Sequence, residues 1–97
     1  MARKSPHIEA AETLVARIKE VFKANRWKVT KTRIEPLSRM ARVYIVAPVF
    51  AQMSPYERQG LMWRIARDEL DERNNYLIAA IVPLSPKEAR DWGLVRG

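Results

Sequence analysis

The sequence predicts an α+β domain with the element order α-β-β-α-β-α, in which helices lie mainly on one face of a three-stranded mixed sheet. Two long segments carry apolar residues at helical spacing. Two shorter segments, both rich in β-branched and aromatic residues, flank a short connection and are typical of a hairpin. An apolar segment that follows the second long helix predicts the third strand. With 97 residues, of which 47% are hydrophobic, the chain is expected to form a single domain over residues 1–97, with residues 1–4 frayed.

The first helix is predicted to run from about residue 6 to residue 24. Ser5 can cap it, and Pro6 suits the first helical position, where no amide donor is needed. Asn25 suits the left-handed backbone conformation that ends many helices. One face of this segment is apolar and consists of Ile8, Ala11, Leu14, Val15, Ile18, Val21 and Phe22.

The next two segments predict an antiparallel hairpin with strands near 27–35 and 41–49. In the first strand Val29 and Ile34 fall on opposite faces, so we expect a bulge near Lys31–Arg33. The second strand alternates more regularly. Its two faces carry Val43, Ile45 and Ala47 on one side and Arg42, Tyr44 and Val46 on the other.

The second long helix is predicted over residues 55–72, because three start signals coincide before it. Ser54 can accept a hydrogen bond from the first turn, Pro55 fits the first helical position, and Glu57 can reach back to the amide of the cap. Gly60 lowers helix propensity, which predicts either a break after a short opening turn or a close backbone contact.

The last elements are a strand near 76–84 and a short helix near 86–92. The strand is apolar throughout, as in strands that are buried on most of their surface. Because a helix connects the second strand to this one, we expect the two strands to be parallel neighbours. Ser85 and Glu88 repeat the capping box at the start of the last helix.

The net charge of +7 is confined to the first part of the chain. Residues 1–42 contain eleven basic and four acidic residues, whereas the remaining residues are neutral in sum. This asymmetry favours an anionic partner, of which nucleic acid is the first candidate. The alternative is a basic surface that promotes solubility and has no specific partner.

The residue types exclude several kinds of site. The chain has no cysteine, and His7 is the only histidine, so disulfides, thiolate zinc sites and cysteine catalysis are excluded. We therefore expect no enzyme activity, no metal and no cofactor. No segment resembles a membrane span or a signal peptide, which predicts a cytoplasmic protein. Four acidic residues could hold a hard cation, although we expect a solvated face: Asp68, Glu69, Asp71 and Glu72.

The basic hairpin is the candidate nucleic-acid interface. Its cations can neutralise phosphates, and its threonine hydroxyls can donate hydrogen bonds to them. Tyr44 is either an exposed ring that stacks on a base or a partly buried residue of the sheet. The candidate contacts from this region are Lys28, Lys31, Arg33, Arg39, Arg42 and Tyr44.

Several motifs resemble those of a known family. Val46–Phe50 ends a strand with an aromatic residue, and Leu61, Met62, Ala66 and Leu70 then follow at helical spacing. Together with the element order, these motifs resemble the BolA-like family, whose fold is similar to that of type II KH domains. Arg58 matches the first arginine of the family's Arg-His-Arg triplet, and it completes our set of candidate nucleic-acid contacts.

The departures from the family concern its ligands. Gln59 and Gly60 replace the triplet's histidine and second arginine, and residues 37–40 and 76–82 contain no histidine or cysteine. BolA-like proteins assist iron–sulfur chemistry through such ligands together with monothiol glutaredoxins. The Gly-x-x-Gly loop of nucleic-acid-binding KH domains is also missing.

Two functions are therefore favoured over a third, which is a metal-dependent enzyme that uses the acidic end of the second long helix. One is a non-enzymatic nucleic-acid-binding or regulatory module that uses the hairpin. The other, which the resemblance implies, is a protein-interaction adaptor that binds a glutaredoxin or an iron–sulfur-related partner without metal ligands of its own.

Overall fold

The computed structural model describes residues 5–94, except for the side chain of Arg73. The predicted fraying of residues 1–4 lies outside this range, and no helix within it has both the length and the apolar character that crossing a membrane requires. The elements are helix α1 (Pro6–Ala24), strands β1 (Lys31–Pro36) and β2 (Ala41–Val46), a 3₁₀ helix (Pro48–Gln52), helix α2 (Pro55–Glu69), the single turn α3 (Glu72–Asn75), strand β3 (Ile78–Leu84) and helix α4 (Pro86–Asp91). This order confirms the predicted α+β architecture.

The three strands form one mixed sheet in the order β1-β2-β3, with β2 in the middle. β1 and β2 are antiparallel, in a register that pairs Arg33 with Tyr44. β2 and β3 are parallel, and Tyr44 pairs with Val82. The predicted hairpin and the predicted parallel neighbours are both confirmed.

The main core lies between the sheet and helices α1 and α2. Side chains alternate along β2, so Val43 and Ile45 face these helices and are fully buried. Burial of apolar surface contributes about 25 cal/mol per Å², which makes this layer the main source of stability. The largest fully buried residues from the helical segments are Leu14, Ile18, Phe22, Phe50 and Met62.

The opposite face of the sheet is only partly covered. Tyr44, Val46 and Leu84 form a smaller buried cluster there with Ala89 of α4. The helices thus lie mainly on one face, as predicted, and the short α4 covers one end of the other face. The rest of this open face carries polar side chains of the hairpin, namely Lys31, Arg33, Glu35 and Arg42.

β1 begins at Lys31 and not near residue 27 as predicted. The amide of Trp27 donates to the carbonyl of Phe22 at 2.8 Å and so belongs to the end of α1. The chain pairs with β2 only from Thr30, whose amide and hydroxyl both donate to the carbonyl of Val46. The end of α1 therefore displaces the start of the strand.

The bulge predicted near Lys31–Arg33 is wrong, because β1 pairs with β2 in a continuous register. A register shift lies instead between Ala41 and Arg42, in the pairing of β2 with β3. β2 also ends at Val46 and not near residue 49, because Pro48 has no amide to donate to the sheet and begins the 3₁₀ helix.

The predicted helix over 55–72 is divided in two. α2 ends because Leu70 is extended (φ −101°, ψ 138°). Asp71 then starts α3 by accepting a hydrogen bond from the amide of Asn74 at 2.7 Å. Short polar side chains compete with helix continuation in this way. The extra turn means that β3 begins at Ile78, two residues later than predicted.

Gly60 has neither of its predicted roles, and the acidic residues near the end of α2 are exposed, as predicted. α2 is continuous through Gly60, and a Cβ atom added there would have no neighbour within 4 Å, so both predicted alternatives are wrong. The acidic residues are engaged separately, since Asp71 caps α3 and Glu69 lies 3.7 Å from Arg17. No group of side chains suited to holding a metal ion occurs among the described residues.

Candidate interaction surfaces

Two hairpin cations are occupied by contacts within the protein. Arg42 Nη1 lies 2.7 Å from Glu35 Oε1 on the neighbouring strand. Lys31 Nζ donates to the carbonyl of Leu94 at 2.6 Å. The interaction with Tyr44, with smaller contributions from Glu35, raises the pKa of Arg42. Neutralising a phosphate with either group requires an internal contact to break or be shared.

Tyr44 lies in the middle of the open face, yet it is only 8% exposed. It belongs to the small cluster with Ala89 of α4, and its hydroxyl donates to Glu35 Oε1 at 3.4 Å. The guanidinium of Arg33 lies 5.9 Å from the centre of the ring. Tyr44 is therefore a buried residue of the sheet, which is the second of the two predicted alternatives. Its ring is not exposed for stacking on a base.

Arg58 links α2 to the C-terminal segment. Its side chain is 12% exposed, and its Nη1 lies 2.7 Å from Glu88 Oε1. It also donates to the carbonyls of Met53 at 3.1 Å and Pro83 at 3.4 Å. The backbone amide of Ser85 lowers the pKa of Glu88 most, and Arg58 lowers it further. The geometry of Arg58 is that of a structural link between elements.

Gln59, at the position that the resemblance assigns to a histidine, also has structural contacts. Its side-chain amide donates to the carbonyl of Ile81 at 2.9 Å and accepts from the indole Nε1 of Trp63 at 3.1 Å. β3 is an edge strand, and edge strands carry backbone groups that need protection from unwanted pairing. Gln59 and Arg58 satisfy two of these carbonyls, from Ile81 and Pro83.

Three predicted contacts are exposed and have no ion-pair partner within residues 5–94: Lys28, Arg33 and Arg39. They lie in three different places. Lys28 precedes β1, Arg33 lies on the open face, and Arg39 lies in the turn between β1 and β2. The structure thus distributes the predicted interface over several environments.

A second basic region, which the sequence patterns did not single out, surrounds Trp27. Lys19, Lys23, Arg26 and Lys28 line one shallow groove of about 360 Å³ together with this ring. In the described part of the chain none of these four cations has an ion-pair partner. Lys19 and Lys23 are four residues apart and share a helix face, which is the one sequence signal that could identify them. Their grouping with Arg26 and Lys28 depends on how the chain turns after α1.

A Schellman motif at the end of α1 produces this grouping. The amide of Trp27 donates to the carbonyl of Phe22 at 2.8 Å, and the amide of Arg26 donates to that of Lys23 at 3.0 Å. The rings of Trp27 and Phe22 pack edge to face, with centroids 5.2 Å apart. Arg26 adopts the left-handed conformation, with φ 60°, where glycine is usual. Asn25, the expected left-handed residue, instead has φ −91° and ψ 3°.

Trp27 also lines two adjoining grooves. The first contains Arg26, Lys28, Pro48 and Gln52. The second is more apolar and leads to Tyr56, which is 88% exposed. Glu57 lies in the same groove, and the backbone amide of Ser54, which donates to its carboxylate at 2.9 Å, is the main cause that lowers its pKa. The remaining residues of this groove are Met53, Gly60, Leu61 and Arg64.

Comparison with known proteins identifies the fold. No family model and no curated protein matches the chain. Among solved structures, the chain is similar to BolA1 from Arabidopsis thaliana, with a TM-score of 0.57 and 22% sequence identity, over 81% of this chain and 94% of that chain. The chain therefore has a BolA-like fold, which confirms the fold that the sequence motifs implied.

Proposed function

We propose that this chain is a non-catalytic protein-interaction adaptor with a BolA-like fold, which binds a partner protein without contributing a metal ligand. The observation that supports it is the surface around Trp27. Three adjoining grooves combine cations that have no ion-pair partner among the described residues, a half-buried indole and a tyrosine that is 88% exposed. Aromatic residues and arginine are enriched at protein interfaces relative to the rest of the surface.

The position that the resemblance assigns to the triplet's histidine has a structural role in this chain. Gln59 binds a carbonyl of β3, and no suitable group of metal-binding side chains exists among the residues that the structure describes. A partner that holds an iron–sulfur cluster must therefore supply the ligands itself. We expect tag-free protein to contain no stoichiometric iron or zinc in elemental analysis, and finding either metal would contradict this part of the proposal.

The resemblance makes a glutaredoxin or an iron–sulfur-related protein the first class of partner to test. The experiment is capture from a native lysate on the immobilised full chain, with and without nuclease, followed by calorimetry with the purified partner. We expect a protein that is retained after nuclease treatment and binds with a defined stoichiometry. If nuclease removes all retained material, or if no purified protein binds, the adaptor function is wrong.

Nucleic-acid binding by the hairpin is the second candidate, because Arg33 and Arg39 are exposed and lack ion-pair partners in the described range. Phosphate contacts release counterions, so the affinity should fall steeply with salt, with a log–log slope near −3 to −4 if about four phosphates are neutralised. Replacing both arginines with glutamine should weaken binding to duplex DNA and single-stranded RNA and flatten this slope. The variant K19Q/K23Q removes the same charge elsewhere and is the control. Absence of binding at low salt, or equal losses in both variants, would remove the hairpin as an interface.

A further inference from the structure

The surface around Trp27 has a basic end. Lys19 and Lys23 lie one helical turn apart on α1, and Arg26 and Lys28 flank Trp27 in the following turn. Some other cations of this protein face carboxylates within 4 Å, as Arg17, Arg42 and Arg58 do. The four cations around Trp27 have no such partner among the described residues, so their mutual repulsion is relieved when an anionic group binds between them.

The backbone of Arg26 gives an independent reason to regard this end as a binding site. A cation after a helix C-terminus interacts favourably with the helix dipole, which accounts for the charge of Arg26. The dipole does not account for a non-glycine residue at φ 60°, in the position of the Schellman motif where glycine relieves strain. Backbone strain of this kind concentrates at functional sites, so a side chain at this position points to a function for Arg26.

The other end of the surface is apolar and carries mixed charge. The side chain of Tyr56 projects into solvent, and Met53 and Leu61 line the groove between it and Trp27. Glu57 is ionised at neutral pH, and the amide of Ser54, which donates to its carboxylate at 2.9 Å, lowers its pKa further. A ligand that binds along the whole surface therefore needs negative charge at one end and apolar groups at the other.

We propose that this surface binds an acidic peptide segment of a partner protein. Its carboxylates contact Lys19, Lys23, Arg26 and Lys28, and an apolar or aromatic side chain lies between Trp27 and Tyr56. This inference rests on the adaptor function and specifies the chemistry that the partner presents. A single-stranded nucleic acid fits less well, because it carries a phosphate at every nucleotide and places one beside Glu57 while its bases stack on the rings.

The test uses the full chain and synthetic peptides of about twelve residues, with four glutamates at one end and a leucine and a phenylalanine at the other. The peptide is made in both orders, because the direction of binding is open. A counterpart with glutamine in place of every glutamate and a single-stranded RNA of about ten nucleotides serve as comparison ligands. Binding is measured by fluorescence anisotropy at about 150 mM salt, and the indole N–H signal of Trp27 is followed by NMR.

We expect the acidic peptide to bind more tightly than its glutamine counterpart and the RNA, and to shift the Trp27 indole signal. K19Q/K23Q should weaken peptide binding at least about tenfold, through the loss of two charge-assisted contacts. The charge-matched R33Q/R39Q should change it by less than about twofold, because neither arginine lines these grooves and salt screens charges that do not contact the peptide. R26G should also weaken binding while the protein keeps its stability, so misfolding cannot explain the loss.

Equal binding of the glutamine peptide, tighter binding of the RNA, or equal losses in the two double variants would each overturn the peptide site. Binding measurements with the captured partner distinguish failure of the peptide site from failure of the adaptor function. If K19Q/K23Q binds that partner as tightly as wild type does, the site is wrong and the adaptor function stands. If no protein partner is retained after nuclease, the adaptor function itself is wrong.

Discussion

Replacing Arg26 with glycine tests whether the end of α1 is strained. An L-residue in the left-handed conformation is destabilised by about 1–2 kcal/mol. Glycine avoids this strain but loses about 0.5–1 kcal/mol through the greater freedom of the unfolded chain. R26A removes the same charge and keeps the strained backbone, so it is the matched control. We expect R26G to be more stable than R26A by about 0.5–1 kcal/mol.

Thermal unfolding followed by circular dichroism measures this difference. A change of 1 kcal/mol shifts Tm by about 4–8 °C in a domain of this size, so the two variants should differ by about 2–8 °C. The Tm of R26G should lie close to that of wild type, because relief of backbone strain offsets the lost interaction of Arg26 with the helix dipole. Equal Tm values for R26G and R26A, or a lower value for R26G, would refute the assignment of strain to φ 60° at this residue.

Three further predictions concern α2 and its contact with α4. G60A should stabilise the protein by about 0.5–1 kcal/mol in urea denaturation, because the site is helical and a Cβ atom meets no neighbour; a destabilised variant would show a hidden steric constraint. R58Q should destabilise the protein by about 1–3 kcal/mol, because the 2.7 Å contact with Glu88 is lost. The control R64Q replaces an exposed arginine and should change stability by less than about 0.5 kcal/mol. Equal effects of the two variants would contradict the structural role of Arg58. Because the pKa of Glu88 is lower in the folded state, its stabilising contribution is complete above the unfolded-state pKa of about 4.3 and is lost as the pH falls through the folded-state pKa. Thermal scans should therefore show a smaller loss of stability between about pH 7 and pH 3 for E88Q than for wild type, and parallel profiles would exclude this contribution.

Local signals predicted the helix starts well. The capping boxes of Ser54 with Glu57 and of Ser85 with Glu88 are both present. α1 has the predicted bounds, although the predicted side-chain cap by Ser5 is absent. These features depend on residues within one turn, so the sequence contains all the information that they need.

The candidate site was less accessible to sequence reasoning, because it depends on contacts between distant segments. Tyr44 is buried because α4 packs on the open face of the sheet. Arg58 forms its ion pair with Glu88, which lies thirty residues further along the chain. The surface around Trp27 depends on a Schellman motif. Glycine at its left-handed position would have indicated this motif in the sequence, but the residue there is Arg26. Charge composition located the basic excess correctly in residues 1–42, but it could not separate engaged cations from those without partners.

The adaptor function is tested most directly by comparing two affinities of the full chain at about 150 mM salt. One is for the protein that is captured after nuclease treatment, and the other is for duplex DNA and single-stranded RNA of mixed sequence. Non-specific nucleic-acid binding has Kd values of about 10⁻⁴–10⁻⁶ M under such conditions. We predict that the Kd values for both nucleic acids lie within this range and that the protein partner binds at least about tenfold more tightly than either. Nucleic-acid binding that is tighter than binding of the protein partner, and that is lost in R33Q/R39Q, would contradict the adaptor function and assign the basic hairpin to nucleic acid.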